Sequence, residues 1–254
     1  MHAAEIRYSF EAKFHAAEDR FECWKSLINR FTYAVDKVLS HGLDFFAAVD
    51  EAQNELCIAS EILASVDAHI VQLEYEPTLP GCAKSIDFRA VAADGAVFYV
   101  DVKTIMPSLK DRWEQFERAQ KEQWFAKNAD VILDKTGLGG ELWHLMFTAR
   151  GRMLEHALEL ETKISEANLR AENTHFVMAF CGEGFHWSYD ELEDFVSFYF
   201  SGRHRADDLF SQAELKYIAE KKLRLNRTIT KFACMSRPQR ALRQTQIDWD
   251  VQAH

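Results

Sequence analysis

Three charged side chains in two short stretches have the types and spacing that suit phosphate chemistry. In "FYVDVKT", residues 98–104, Asp101 and Lys103 lie two residues apart in an otherwise apolar and aromatic run. Because side chains alternate across a strand, both belong to one face. An upstream acid, Asp87 in "SIDF", joins that face if the hairpin between the stretches has the right register. Paired carboxylates suit a hard cation such as Mg²⁺, and a neighbouring lysine suits a phosphate.

The loop at residues 93–95 decides the register of this hairpin. A two-residue turn would place Asp87 on the face opposite to Asp101, whereas a three-residue loop places the two acids directly opposite each other on one face. Three-residue loops favour glycine in their third, left-handed position. Gly95 occupies that position, so we predict the three-residue loop. Since like charges facing each other destabilise a sheet, a bound cation would explain the pair. The alternative is an ordinary Asp101–Lys103 ion pair at an exposed strand end.

A third acid precedes the hairpin on a predicted helix, "AVDEAQNELCIASEILASV". At about 100° per residue, Glu55 falls within the apolar stripe of this helix, whereas Glu61 points away from it. A carboxylate in an apolar stripe is costly unless it is paired or bound to a cation. We therefore expect Glu55 to face the sheet. The alternative is a favourable contact with the helix dipole near the helix start.

The elements that must position these residues alternate between helices and strands. Helical periodicity fills the first 66 residues, with a stop at Gly42, and three predicted strands follow in "HIVQLEYEP", "SIDFRAVA" and "AVFYVDVKT". Further along we expect helices over 107–128, 141–172, 188–200 and 206–222, and strands in "VILD", "THFVMAFC" and "TITKFAC". This order predicts an α/β sheet covered on both faces. We expect one domain over 1–254, with a helical extension 1–44, a core 45–185 and a helical, basic segment 186–254.

The order of these features resembles the PD-(D/E)XK nuclease superfamily, which includes restriction endonucleases and Holliday-junction resolvases. The resemblance covers about residues 45–185 and is carried by "NELCIASEIL", a strand, "SIDF" at the start of a hairpin, and "VDVKT". One departure is Ile86, which stands where the motif has proline. The resemblance implies a restriction-endonuclease-like fold, with a central mixed sheet flanked by helices.

The resemblance also implies a function and a set of roles. The activity would be metal-dependent phosphodiester hydrolysis, with DNA as the substrate. Asp87, Asp101 and the Val102 backbone carbonyl would hold Mg²⁺ or Mn²⁺, and Glu55 would complete the metal site. Lys103 would orient the attacking water and stabilise the transition state. A catalytically silent binding or scaffold protein with the same fold, and an RNA-directed nuclease, are the alternatives.

A polar residue on the helix after "DVKT" is an accessory candidate. Leu109, Trp113 and Phe116 form an apolar stripe there, and Gln120 lies within it. Gln120 could therefore face the site, as helix residues of related enzymes do, or it could be a buried amide satisfied within the fold.

The charge is unevenly distributed along the chain. The whole chain carries a net charge of −10, yet residues 201–254 contain 11 Lys and Arg against 6 Asp and Glu. A basic surface beside an acidic body can bind polyanions such as nucleic acid. The candidate contacts, here called the basic quartet, are Lys221, Lys222, Arg224 and Arg227. The alternative is a solvated surface that balances the acidic part of the same protein.

Apolar runs, the N-terminal pattern and the cysteines together indicate in which compartment the protein resides. The longest apolar run, "FVMAFC", has six residues, far fewer than the roughly 18 that span a bilayer. The N-terminal stretch "MHAAEIRYSF" lacks the pattern of a signal peptide. Five scattered cysteines without a CxxC pair suit a reducing compartment. We therefore expect a cytoplasmic protein without membrane association. Its oligomeric state stays open, with a homodimer as one candidate.

Overall fold

The computed structural model describes residues 21, 23–41, 46–64, 69–105, 149–169, 172–183, 189–205, 219, 223–236 and 246–251. Within these residues the protein has a mixed α/β architecture. Six strands form one mixed, open sheet, and four helices cover its two faces. Among the residues described, no helix has both the length and the apolar character needed to cross a membrane.

Two helices precede the sheet, as predicted from the sequence. Helix α1 spans Trp24–His41 and ends directly before Gly42, and α2 spans Phe46–Ala64. Their buried residues, among them Leu27, Phe31 and Leu56, pack with Phe88, Val100 and other residues of one sheet face. Apolar residues at helical spacing give each helix one face to bury in this way.

The six strands follow the chain order across the sheet, from β1 at one edge to β6 at the other. Their bounds are Ile70–Tyr75 (β1), Phe88–Ala92 (β2), Val97–Thr104 (β3), Thr174–Glu183 (β4), Lys231–Ser236 (β5) and Gln246–Asp248 (β6). Strands β1, β2 and β3 are antiparallel neighbours, β3, β4 and β5 run parallel, and β6 is antiparallel to β5. The sheet therefore changes from antiparallel to parallel pairing at β3.

The other two helices lie on the second face of the sheet. Helix α3, Ala149–Glu166, lies in the connection from β3 to β4, and α4, Tyr189–Ser201, lies in the connection from β4 to β5. Their apolar residues pack with Phe176, Met178 and Phe180 of β4. Parallel neighbours need such crossover connections, and α3 is the described helix of the crossover between β3 and β4.

The register predicted for the first hairpin is confirmed. Phe88 pairs with Val100 and Val91 with Val97, which is the pairing of a three-residue loop at 93–95. Gly95 has a φ of 87°, in the left-handed region that favours glycine. The Ala92 amide donates to the Ala96 carbonyl at 2.9 Å and closes the loop.

Other elements differ from the sequence predictions at their ends. Strand β2 begins at Phe88 rather than Ser85, because Asp87 directs its side chain to the neighbouring strand. Helix α3 ends at Glu166, before a turn at 167–168. Strand β6 was not predicted. The elements predicted at 107–128 and 131–134, and nearly all of 206–222, lie outside the described residues.

Candidate functional site

The two predicted acids lie where β2 begins beside the C-terminal half of β3. Asp87 immediately precedes β2, and its Oδ2 accepts a hydrogen bond of 2.6 Å from the Val102 amide. The Ile105 amide donates to the Cys181 carbonyl of β4. Because peptide groups alternate sides along a strand, Val102 directs its amide and carbonyl the other way, toward β2. The Asp87 carboxylate therefore accepts the Val102 hydrogen bond at a point where β3 would otherwise bond to a main-chain carbonyl of its neighbour.

Lys103 contacts both acids. Its Nζ lies 3.0 Å from Asp101 Oδ2 and 3.9 Å from Asp87 Oδ2. The Asp101 side chain is fully buried, and those of Asp87 and Lys103 are 16% and 20% exposed. Asp101 and Lys103 thus form the ion pair that the alternative interpretation predicts, but the pair is largely buried rather than exposed. The structure brings the three sequence-predicted residues together in a largely desolvated position.

A second lysine, which the sequence analysis did not identify, completes the cluster. Lys163, in the last turn of α3, donates from Nζ to Asp101 Oδ1 at 2.9 Å, and the residue is only 8% exposed. Asp101 Oδ2 accepts no hydrogen bond of normal geometry from any described residue, although the Lys103 ammonium lies close to it. One oxygen of Asp101, Oδ1, is thus bound by Lys163 of α3. The other oxygen, Oδ2, lies next to Lys103, on the side of Asp87.

The charges of the cluster shift the pKa values of its members. Burial, followed by the negative charge of Asp101, raises the pKa of Asp87 to about 6. Lys103, the Val102 amide and Lys163 act in the opposite direction but do not cancel the rise. Burial lowers the pKa of Lys103, but the charges of Asp101 and Asp87 outweigh burial and leave it above its usual value. The protein therefore holds Lys103 charged beside an acid that resists ionisation.

Helix α3 also carries a histidine and a glutamate that are close enough to Lys103 to interact with its charge. His156 and Glu159 lie one turn apart on α3, with His156 Nδ1 3.5 Å from Glu159 Oε2. Burial, together with the positive charges of Lys103 and Arg152, lowers the pKa of His156 to about 4. His156 is therefore neutral at physiological pH and adds no further positive charge near Lys103.

Glu55 is buried toward the sheet, as its place in the apolar stripe predicts. It is 5% exposed, and α2 begins nine residues earlier at Phe46, so the alternative of a dipole contact at the helix start is wrong. Its Oε2 lies 2.8 Å from Arg30 Nη1 and accepts a 2.8 Å hydrogen bond from the Tyr75 hydroxyl. Burial and the charge of Asp87 raise the pKa of Glu55 to about 7. Glu55 thus interacts with Asp87 through its charge but makes its contacts with Arg30 and Tyr75.

The carboxylates of Asp87 and Asp101 are suitable ligands for a small, hard cation that prefers oxygen. Among the described residues, no three acidic, histidine or cysteine side chains group closely enough to form a metal cage. Mg²⁺ does not require one, because it is usually held by one or two carboxylates together with waters and substrate phosphate. Asp101 Oδ2 is buried, and the Lys103 ammonium lies 3.0 Å from it and 3.9 Å from Asp87 Oδ2, so both carboxylates face the same ammonium group. The Val102 carbonyl points toward the same side of β3.

Half of the basic quartet lies in the described part of the chain. Arg224 and Arg227 are exposed, whereas Lys221, Lys222 and the accessory candidate Gln120 lie outside the described residues. Buried Glu161 of α3 accepts hydrogen bonds from the amides of Asn226 and Thr228, at 2.7 and 3.2 Å. The segment that carries the two arginines is therefore anchored to the helix that also carries Lys163.

Comparisons with known proteins add no identification. The chain matches no protein-family model, no curated protein and no solved structure.

Proposed function

We propose that this protein is a metal-dependent nuclease that hydrolyses phosphodiester bonds in DNA and has a restriction-endonuclease-like fold. The observation that carries the proposal is the position of the Lys103 ammonium, 3.0 Å from Asp101 and 3.9 Å from Asp87 at the junction of β2 and β3. The proposed cofactor is Mg²⁺ or Mn²⁺, with Asp87, Asp101 and the Val102 carbonyl as ligands.

The energetic cost of this arrangement supports a functional role. Asp87 and Asp101 are both largely buried, and burial together with the charge of Asp101 raises the pKa of Asp87. Folding alone would be served better by apolar residues, because buried ion pairs often contribute less to stability than a well-packed apolar replacement. A bound cation and a phosphate would use the charges that folding does not require. Exposed Arg224 and Arg227 are suitable contacts for the backbone of a polyanion.

Each residue of the site has a chemical task in this proposal. A divalent cation held by the two carboxylates would lower the pKa of water and neutralise negative charge on the phosphate. Lys103 would place a positive charge beside the attacked phosphate, where charge develops in the transition state. Asp87, with its Oδ2 fixed by the Val102 amide, presents its carboxylate without rotating freely. Glu55, held on α2 by Arg30 and Tyr75, would complete the metal site.

One observation favours a second candidate, a catalytically silent binding or scaffold protein. Lys103 and Lys163 both contact Asp101, so the two carboxylates already face two ammonium groups without any metal. A cluster of two negative and two positive charges can be a purely structural network. Metal binding separates the two candidates, because the silent protein has no need of it.

The test is an incubation of the purified protein with plasmid, single-stranded DNA and RNA, in the presence of Mg²⁺, Mn²⁺ or a chelator. The proposal predicts cleavage of DNA with metal and none with chelator, and a rise in Tm when Mn²⁺ is added. Cleavage of RNA alone would identify an RNA-directed nuclease. If no nucleic acid is cleaved and the Tm is unchanged by Mg²⁺ and Mn²⁺, the catalytically silent protein is favoured.

A further inference from the structure

The two oxygens of Asp101 have different surroundings. Oδ1 accepts a 2.9 Å hydrogen bond from Lys163, whereas Oδ2 forms an ion pair with the Lys103 ammonium at 3.0 Å, on the side that faces Asp87. Asp101 is 0% and Lys163 8% exposed, so water cannot readily replace the lysine at Oδ1. Lys163 is held by a helix whose neighbouring residues, among them Leu160 and Ile164, are packed in the core. Oδ1 is thus held by a buried lysine, whereas the lysine at Oδ2 is more exposed and can move aside for a ligand more readily.

We propose that Lys163 determines which cation this site accepts, an inference that rests on the proposed metal-dependent function. By occupying Oδ1, Lys163 limits Asp101 to coordination through a single oxygen. Ca²⁺ takes six to eight oxygen ligands and often binds a carboxylate through both oxygens, whereas Mg²⁺ takes six at shorter distances and retains waters. One-oxygen coordination by Asp101 therefore favours Mg²⁺ and disfavours Ca²⁺. Lys163 acts here as a positioning residue, through Asp101.

The charge of Lys163 and its hydrogen bond can be separated by experiment. Removing the ammonium strengthens the attraction for any divalent cation, and it does so about equally for two ions of the same charge. The ratio of the Ca²⁺ and Mg²⁺ dissociation constants cancels this common effect. A change in that ratio therefore reports whether the second oxygen of Asp101 has become available.

The experiment measures Mg²⁺ and Ca²⁺ binding to the full chain by calorimetry, with Tm shifts as a second readout. The parent should bind Mg²⁺ more tightly than Ca²⁺. Lys163→Met, which has a similar length but no donor, should raise the Ca²⁺ affinity relative to Mg²⁺ several-fold. Lys163→Arg, which retains charged donors for Oδ1, should keep the parent ratio. Lys84→Met, which removes an exposed lysine near Asp87, should also leave the ratio unchanged.

Two results would overturn the proposed role of Lys163. One is a Lys163→Met variant that binds both ions with the parent ratio. The other is a parent that binds Ca²⁺ as tightly as Mg²⁺, which decides the question even if the methionine variant does not fold. In either case, metal-dependent DNA cleavage by the parent would leave the proposed function standing. A parent that binds neither ion would instead remove the metal-dependent function and, with it, the selectivity role.

Discussion

Replacing Asp87 by asparagine should stabilise the metal-free protein at pH 8. Asp87 titrates at about 6 in the fold against an ordinary pKa of 3.8, because burial and Asp101 disfavour its charged form. A group whose pKa is raised by folding contributes stability at low pH that is lost as the pH rises through the folded pKa. A difference of about two pH units corresponds to about 3 kcal/mol, as an upper bound. Asparagine does not titrate and keeps an oxygen that can accept from the Val102 amide.

The expected gain is about 1–3 kcal/mol at pH 8, because the side chain is partly exposed and Lys103 then faces a single charged carboxylate. At pH 5 the gain should fall to roughly half, since Asp87 is then mostly protonated in the folded parent. Urea denaturation at the two pH values, with a chelator present, measures both quantities. Asp36→Asn, at an exposed position on α1, is the matched control and should change little. An Asp87→Asn variant less stable than the parent at pH 8, or a gain that does not depend on pH, would refute the reasoning.

Two further predictions concern metal and nucleic-acid binding. Asp101→Asn should lose Mn²⁺ affinity, because it removes a carboxylate ligand. It should also destabilise the fold by about 3–5 kcal/mol, because buried Lys163 is left without its charged partner. A Mn²⁺ titration that matches the parent would contradict the first expectation. Neutralising the basic quartet should weaken DNA binding and reduce the salt dependence of log K by about 0.9 for each phosphate that the protein no longer neutralises. Lys25→Gln, an exposed change on α1, is the control, and an unchanged salt dependence in the quartet variant would show that these residues only balance the charge of their own protein.

The hairpin part of the site could be predicted because its determinants are local. The position of Gly95 selects the loop length, and the loop length sets which face carries Asp87 and Asp101. The apolar stripe of α2 likewise predicts that Glu55 is buried. In each case residues close in sequence decide the outcome, so periodicity and turn chemistry are sufficient.

Lys163 could not be predicted because its role depends on contacts that are distant in sequence. It lies 62 residues after Asp101, at the edge of the apolar stripe of α3, where a lysine normally reaches solvent. Helix α3 lies in the crossover between the parallel strands β3 and β4, and this tertiary arrangement directs the lysine to a buried carboxylate of β3. The partners of Glu55 were missed for the same reason, since Arg30 lies on a different helix and Tyr75 on a strand. Strand β6 has only three residues, too few for a recognisable alternation.

One measurement tests most directly whether Lys103 serves chemistry rather than folding. The rate of plasmid cleavage by Lys103→Ala is compared with that of the parent at saturating Mn²⁺. The variant should fold, because Asp101 retains Lys163 as its counter-ion, and it should bind Mn²⁺ at least as tightly as the parent. Its cleavage rate should fall on the order of a hundredfold or more, as expected when one transition-state stabiliser is removed. A folded, metal-bound Lys103→Ala protein that cleaves as fast as the parent would contradict the account.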